Sequence, residues 1–146
     1  MKNKVIIITG GSSGIGKALA FQYGLLGAHV VITARNEEKL QATTLELENA
    51  GISIVGIPCD SSLEKETRWM VNQVKEQFGQ IDLLINNAGI SMRSMFEDVS
   101  IDVLKKVMDI NFWGTVYCTK FALPYILKNN GSIVGISSIA GYRGLP

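Results

Sequence analysis

The sequence predicts an α/β fold: a parallel sheet with helices packed on both of its faces. Short β-branched runs alternate with longer amphipathic stretches along the whole chain. Val5-Ile6-Ile7-Ile8 is continuously apolar instead of alternating, as a strand buried on both faces is. The connections are short, which with strand–helix alternation requires right-handed crossovers between parallel strands.

Val5 to Thr9 is the first strand, Gly16 to Leu26 a helix closed by Gly27, and His29 to Ala34 the second strand. Asn36 stands at an N-cap position, with Glu37 and Glu38 in the first turn where the helix dipole favours carboxylates. That helix runs to about Ala50 and stops at Gly51. Ile52 to Ile57 is the third strand, ended by Pro58. Ser61 and Glu64 have capping-box spacing and open a helix to Phe78-Gly79. Ile81 to Ile85 is the fourth strand, and the loop from Asn86 to about Val99 is of a length that marks function in a compact domain. Ser100 caps a long helix to about Asn129, expected to bend near Pro124. Asn130-Gly131 breaks it, and Ser132 to Ser137 is the fifth strand. Gly141 to Pro146 read as loop, so the chain looks interrupted straight after a strand.

At 146 residues, with no repeat or linker, the sequence is expected to form a single domain over 1–146, incomplete at its C-terminal side. The 14 basic and 13 acidic residues are interspersed, so no polybasic face attracts nucleic acid or a membrane surface. No apolar run reaches the ~18 residues of a membrane span, and no secretory apolar core follows Lys2 and Lys4. Cys59 and Cys118 have no metal-ligand spacing and read as reduced, buried thiols of a cytoplasmic protein. His29, the only histidine, and the helical Trp69 and Trp113 read as structural or packing residues.

Between the first strand and the first helix lies Thr9-Gly10-Gly11-Ser12-Ser13-Gly14-Ile15-Gly16. A helix N-terminus offers unpaired N–H groups and the positive end of a dipole, which suits a phosphate, and glycines let the backbone approach it. The spacing Gly11-x-x-x-x-Gly16-Lys17 approaches a nucleoside-triphosphate loop, but position 18 is alanine, where a hydroxyl should hold magnesium. The remaining spacing, Gly10-x-x-x-Gly14-x-Gly16, is not the dinucleotide pattern in its usual register either.

Thr9-Gly10-x-x-x-Gly14-Ile15-Gly16 resembles the cofactor fingerprint of the short-chain dehydrogenase/reductase family. Asn86-Asn87-Ala88-Gly89 after the fourth strand, Asn111 in the long helix and Ser137-Ser138 after the fifth strand follow in that family's order. The resemblance covers the whole chain. It implies a Rossmann-type doubly wound sheet in strand order 3-2-1-4-5-6-7, of which strands 1 to 5 are present. It also implies a cofactor site made by Gly10, Ser12, Ser13, Gly14, Ile15, Gly16, Asp60, Ser61, Asn87, Ala88 and Gly89, with Asp60 near the adenine ring.

The tip of the second strand chooses between cofactors. NAD enzymes of this architecture usually carry Asp or Glu there; here the strand ends Thr33-Ala34-Arg35-Asn36. Arg35 suits a ribose 2′-phosphate, so NADP(H) is the expected cofactor. Its alternative is a solvated charge beside Glu37 or Glu38.

The resemblance further implies hydride transfer between the nicotinamide and a carbonyl or secondary alcohol. In the family a tyrosine of a Tyr-x-x-x-Lys pair donates the proton, a serine binds the substrate oxygen and an asparagine supports a water relay. Ser138 and Asn111 match the last two. No Tyr-x-x-x-Lys occurs: Tyr117 and Tyr125 are each followed by lysine at the wrong spacing, and Tyr142 lies too near Ser138. The chain by itself is therefore expected to be inactive, with the fifth strand an uncovered edge. The family's dimer helices imply a homo-oligomer of the complete protein. A non-catalytic NADP(H) sensor is the alternative, disfavoured by Ser138 and Asn111; a phosphate-loop nucleotidase is a remote one. Met92, Met95 and Phe96 hint at an apolar substrate.

Overall fold

A computed structural model describes residues 1–141 and 143. Its strands are β1 (Val5–Thr9), β2 (His29–Ala34), β3 (Ile54–Pro58), β4 (Leu83–Asn86) and β5 (Ser132–Gly135). Its helices are α1 (Gly14–Leu25), α2 (Glu37–Asn49), α3 (Glu64–Phe78), α4 (Ile101–Met108) and α5 (Gly114–Lys128), the last two joined by a π-helical turn over Asp109–Trp113. The strands form one parallel sheet in the order β3-β2-β1-β4-β5. This is the doubly wound, Rossmann-type arrangement that the sequence predicts.

The strand period of two divides the apolar residues between two cores. Val5 and Ile7 of β1 point to the side of α3 and α5, where they meet Met70, Val74, Leu84, Cys118 and Ile126. Ile6 and Ile8 point the other way, to Ala20, Leu40, Leu47 and Ile85 beside α1 and α2. All four β1 residues are 0–1% exposed, which explains the uninterrupted apolar run. Because β1 lies between β2 and β4, the chain winds outward in both directions from it. The carboxyl ends of β1 and β4 thus flank the switch point where such sheets bind ligands.

Asp82 stitches the opposite end of these strands. One carboxylate oxygen accepts from Lys4 Nζ and the other from Val5 N, each at 2.8 Å, and the residue is buried. Asn36 caps α2 as expected, its Oδ1 accepting from Lys39 N at 2.7 Å.

Several expectations are corrected. Ser61 does not cap α3: the helix begins three residues later, and the Leu63 N-cap makes no side-chain bond. Asp60 takes over that turn, its Oδ1 accepting from both the backbone N–H and the hydroxyl of Ser62, while Ser61 is buried against Gly114. The long helix loses its α-helical regularity at Asp109–Trp113, well before Pro124, which lies inside α5. Trp69 and Trp113 pack at the surface, 51% and 44% exposed, with Trp113 stacked on Tyr117 and edge-on to Phe112. The edge expected at the fifth strand is present: among the described residues β5 pairs with β4 alone, leaving Ile133, Val134 and Ile136 each 39% exposed. Of the loop expected from Gly141, residue 142 and residues 144–146 lie outside the described residues, Tyr142 included. No helix among the described residues is long and apolar enough to cross a membrane.

Replacing Asp82 by alanine strands the buried Val5 N–H. Chemical denaturation should register a loss of about 1–3 kcal/mol, and an unchanged midpoint would show that the bond contributes nothing.

Candidate functional site

The glycine-rich turn is held by the loop that leaves β4. Thr9 Oγ1 accepts from the backbone N–H groups of Asn87 (3.0 Å) and Ala88 (2.9 Å). The Asn87 amide returns the contact, donating to Thr9 O at 2.8 Å and Gly10 O at 3.2 Å. Such closeness leaves no room for side chains. Gly10 has φ +67°, and a Cβ there would sit 2.9 Å from Ala88 Cα; one on Gly16 would sit 2.5 Å from Gly10 O and 2.6 Å from Asn87 Nδ2. On its other flank the turn is tied to α2, where the Thr43 hydroxyl donates to Ser12 O at 3.0 Å.

Above the turn opens a cleft of about 650 Å³, within the range of small-molecule sites. Of the residues singled out from sequence, Gly10, Ser12, Ser13, Arg35, Ser61, Asn87, Ala88 and Gly89 line it. Gly14, Ile15, Gly16 and Asp60 adjoin it in sequence but are not lining residues. No side chain caps the N-terminus of α1, and around the Cβ position of Gly14 (φ +54°) nothing lies within 4 Å. An uncapped helix start beside an open glycine is a donor set that fits a phosphate.

Asn111 and Ser138 are not among the residues that line this cleft, though Asn111 abuts Gly89 and Ile90, which do. Asn111 lies in the π-helical turn, and its side chain forms a two-point latch with Ile90: Nδ2 donates to Ile90 O and Oδ1 accepts from Ile90 N, both at 2.8 Å. Its carbonyl accepts from Thr115 Oγ1 at 3.1 Å. Ser138 is exposed after β5 and opens a 3₁₀ turn (Ile139–Gly141), its Oγ accepting from Ala140 N at 3.1 Å.

Thr33, Ala34, Asn36, Lys39, Cys59, Ile90 and Ile110 also line the cleft and were not singled out from sequence. Those at the tip of β2 follow from its register beside β1; Ile110 depends on the π-helical turn, which leaves no sequence signal. Arg35 Nη1 lies 4.0 Å from Asp60 Oδ2, so Asp60, and not Glu37 or Glu38, is its carboxylate neighbour. Burial raises the thiols of Cys59 to about 11 and Cys118 to about 12, which keeps both protonated and unreactive near neutral pH. Lys17, the lysine of the triphosphate-like spacing, instead pairs with Glu46 at 2.6 Å and does not line the cleft.

A parallel doubly wound sheet with an open glycine turn at its switch point defines a nucleotide-binding class of α/β protein. The family model described as short chain dehydrogenase matches residues 4–146, and the chain belongs to that family of oxidoreductases. It is 40% identical over 148 residues to an 11-beta-hydroxysteroid dehydrogenase-like protein 4A of Arabidopsis thaliana, covering 100% of this chain and 50% of that protein. It is 43% identical over 145 residues to 11-beta-hydroxysteroid dehydrogenase A of Sesamum indicum, covering 98% and 42%. The chain thus spans about half the length of the curated relatives it matches. Among solved structures, a variant of actinorhodin polyketide ketoreductase with NADPH superposes with a TM-score of 0.94 at 33% identity, over 99% of this chain and 58% of that one. A short chain dehydrogenase/reductase from Burkholderia phymatum in complex with NAD superposes with a TM-score of 0.95 at 30% identity, over 99% and 52%.

Thr9→Val keeps the shape of the side chain and removes the acceptor for two N–H groups. Unfolding measurements should show a loss of about 1–3 kcal/mol; equal stability would mean that water replaces the hydroxyl without penalty.

Proposed function

We propose that the chain forms the cofactor-binding part of an NADP(H)-dependent oxidoreductase that interconverts a carbonyl and a secondary alcohol. The observation that carries the cofactor choice is Arg35 at the tip of β2, lining the cleft where an NAD enzyme would present a carboxylate. In this reading Gly10, Ser12, Ser13, Gly14, Ile15 and Gly16 hold the pyrophosphate, Arg35 the 2′-phosphate, and Asp60 and Ser61 border the adenine. Ala88 and Gly89 border the ribose and nicotinamide side. Asn87, with its amide turned toward Thr9 and Gly10, serves by shaping the turn. When bound, the nicotinamide exchanges hydride with the substrate carbon.

The chain's own residues prepare the oxygen side of that reaction. Ser138 Oγ accepts a bond from Ala140 N and so keeps its proton for a substrate oxygen. Asn111 has both amide groups engaged by Ile90, so a relay water would meet its main-chain carbonyl, which also accepts from Thr115 Oγ1. The proton that neutralises the oxygen comes, by family resemblance, from a tyrosine that these 146 residues do not contain. They alone should bind dinucleotide and turn over little, since a missing general acid removes roughly 100- to 10,000-fold.

The remaining expectations belong to this reading: a small-molecule substrate, a cytoplasmic enzyme and a homo-oligomer of the complete protein. A purely regulatory NADP(H) sensor has no use for Ser138. A phosphate-loop nucleotidase is disfavoured by the engagement of Lys17 with Glu46.

Titrating NADPH and NADH into wild type and Arg35→Asp tests the cofactor choice. The variant should lose roughly 10- to 150-fold in NADPH affinity relative to NADH, the equivalent of one charge-assisted bond. An unchanged ratio would refute the assignment.

A further inference from the structure

The residues lining the cleft include two with charged side chains, Arg35 and Lys39, and both are cations. Arg35 is not a free charge, because Asp60 Oδ2 stands 4.0 Å from its guanidinium. At that distance, with both side chains partly exposed, Asp60 offsets part of the attraction between Arg35 and a phosphate dianion. Lys39 is different. Ion pairs among the described residues join Lys4 to Asp82, Lys17 to Glu46, Arg35 to Asp60 and Arg68 to Glu64, and Lys39 enters none of them. Glu37 and Glu38 share its helical turn, yet neither lines the cleft.

Lys39 lies in the first turn of α2, where the helix dipole presents its positive end and its own backbone N–H is bound by Asn36 Oδ1. An anion at the tip of β2 would meet the fork of Arg35, the point charge of Lys39 and the start of α2 together.

We propose that Lys39 is the second cation of the 2′-phosphate site and a determinant of specificity: Arg35 orients the phosphate, and Lys39 adds an unpaired positive charge where Asp60 offsets part of that of Arg35. This inference rests on the NADP(H) reading above and adds to it a residue that the tip of the strand does not reveal.

The test compares dissociation constants for NADPH and NADH in wild type, Lys39→Gln and Lys39→Arg at low and high sodium chloride. Lys39 is exposed and caps through its main chain, so neither substitution removes a fold contact, and matching thermal unfolding curves check this. Lys39→Gln should weaken NADPH roughly 5- to 10-fold, between an exposed ion pair and a charge-assisted hydrogen bond. NADH binding should stay constant, Lys39→Arg should restore NADPH, and the loss should shrink at high salt. If wild type prefers NADPH and Lys39→Gln leaves the ratio intact, or weakens both dinucleotides equally, the role of Lys39 is refuted while the NADP(H) reading stands. If wild type shows no preference for NADPH, both fall.

Discussion

The architecture of this site depends on a clasp between the carboxyl ends of β1 and β4. One threonine hydroxyl accepts two backbone N–H groups, and one asparagine amide donates back to two carbonyls. The bonds connect residues 77 to 79 positions apart, so they form only once the sheet has assembled. Their closeness dictates glycine at positions 10 and 16, where a Cβ would collide with the partner loop or with the turn itself. With the turn pressed against that loop, α1 starts directly beside the cleft with no side chain capping it. A turn held this way suits an anion, because its backbone is fixed before any ligand arrives.

The same loop is gripped a second time. Three residues beyond Asn87, Ile90 is bound through both its N–H and its C=O by Asn111 of the π-helical turn. The segment from Asn87 to Ile90, which borders the cleft, is thus fastened at one end to β1 and at the other to the π-helical turn. π-helical turns occur often at functional sites, and here the turn gives Asn111 its reach to Ile90. Residues at the tips of β1, β2 and β3 line the cleft, while Asn111 and Ser138 sit on later elements of the chain.

Much of this was legible in the sequence, and the gaps have physical causes. β1 was readable because burial on both faces abolishes alternation, and the ends of α1, α2 and α3 because Gly27, Gly51 and Gly79 adopt the positive φ that stops a helix. The Asn36 cap was local and therefore visible. Ser61 had the spacing of a cap but was drawn inward against Gly114, a tertiary contact that local pattern cannot anticipate. The π-helical turn is stabilised by a bond across 21 residues, and nothing in its own segment announces it. Asn87 was found by motif, yet its amide faces the turn and not the open cleft. Lys39 went unnoticed because its significance lies in what it lacks, a carboxylate partner, and pairing is a property of the folded chain.

The central claim is that a phosphorylated dinucleotide lies across the carboxyl ends of β1 and β2, its pyrophosphate at the start of α1. Recording backbone amide chemical shifts while NADP⁺ is titrated into the isotope-labelled chain tests this most directly. The account expects the largest saturable changes at Gly10 to Gly16, Arg35, Lys39, Asp60, Ser61 and Ala88 to Ile90, with little change on the exposed face of α3 around Trp69. Silence at the glycine-rich turn, or changes confined to that face of α3, would contradict it.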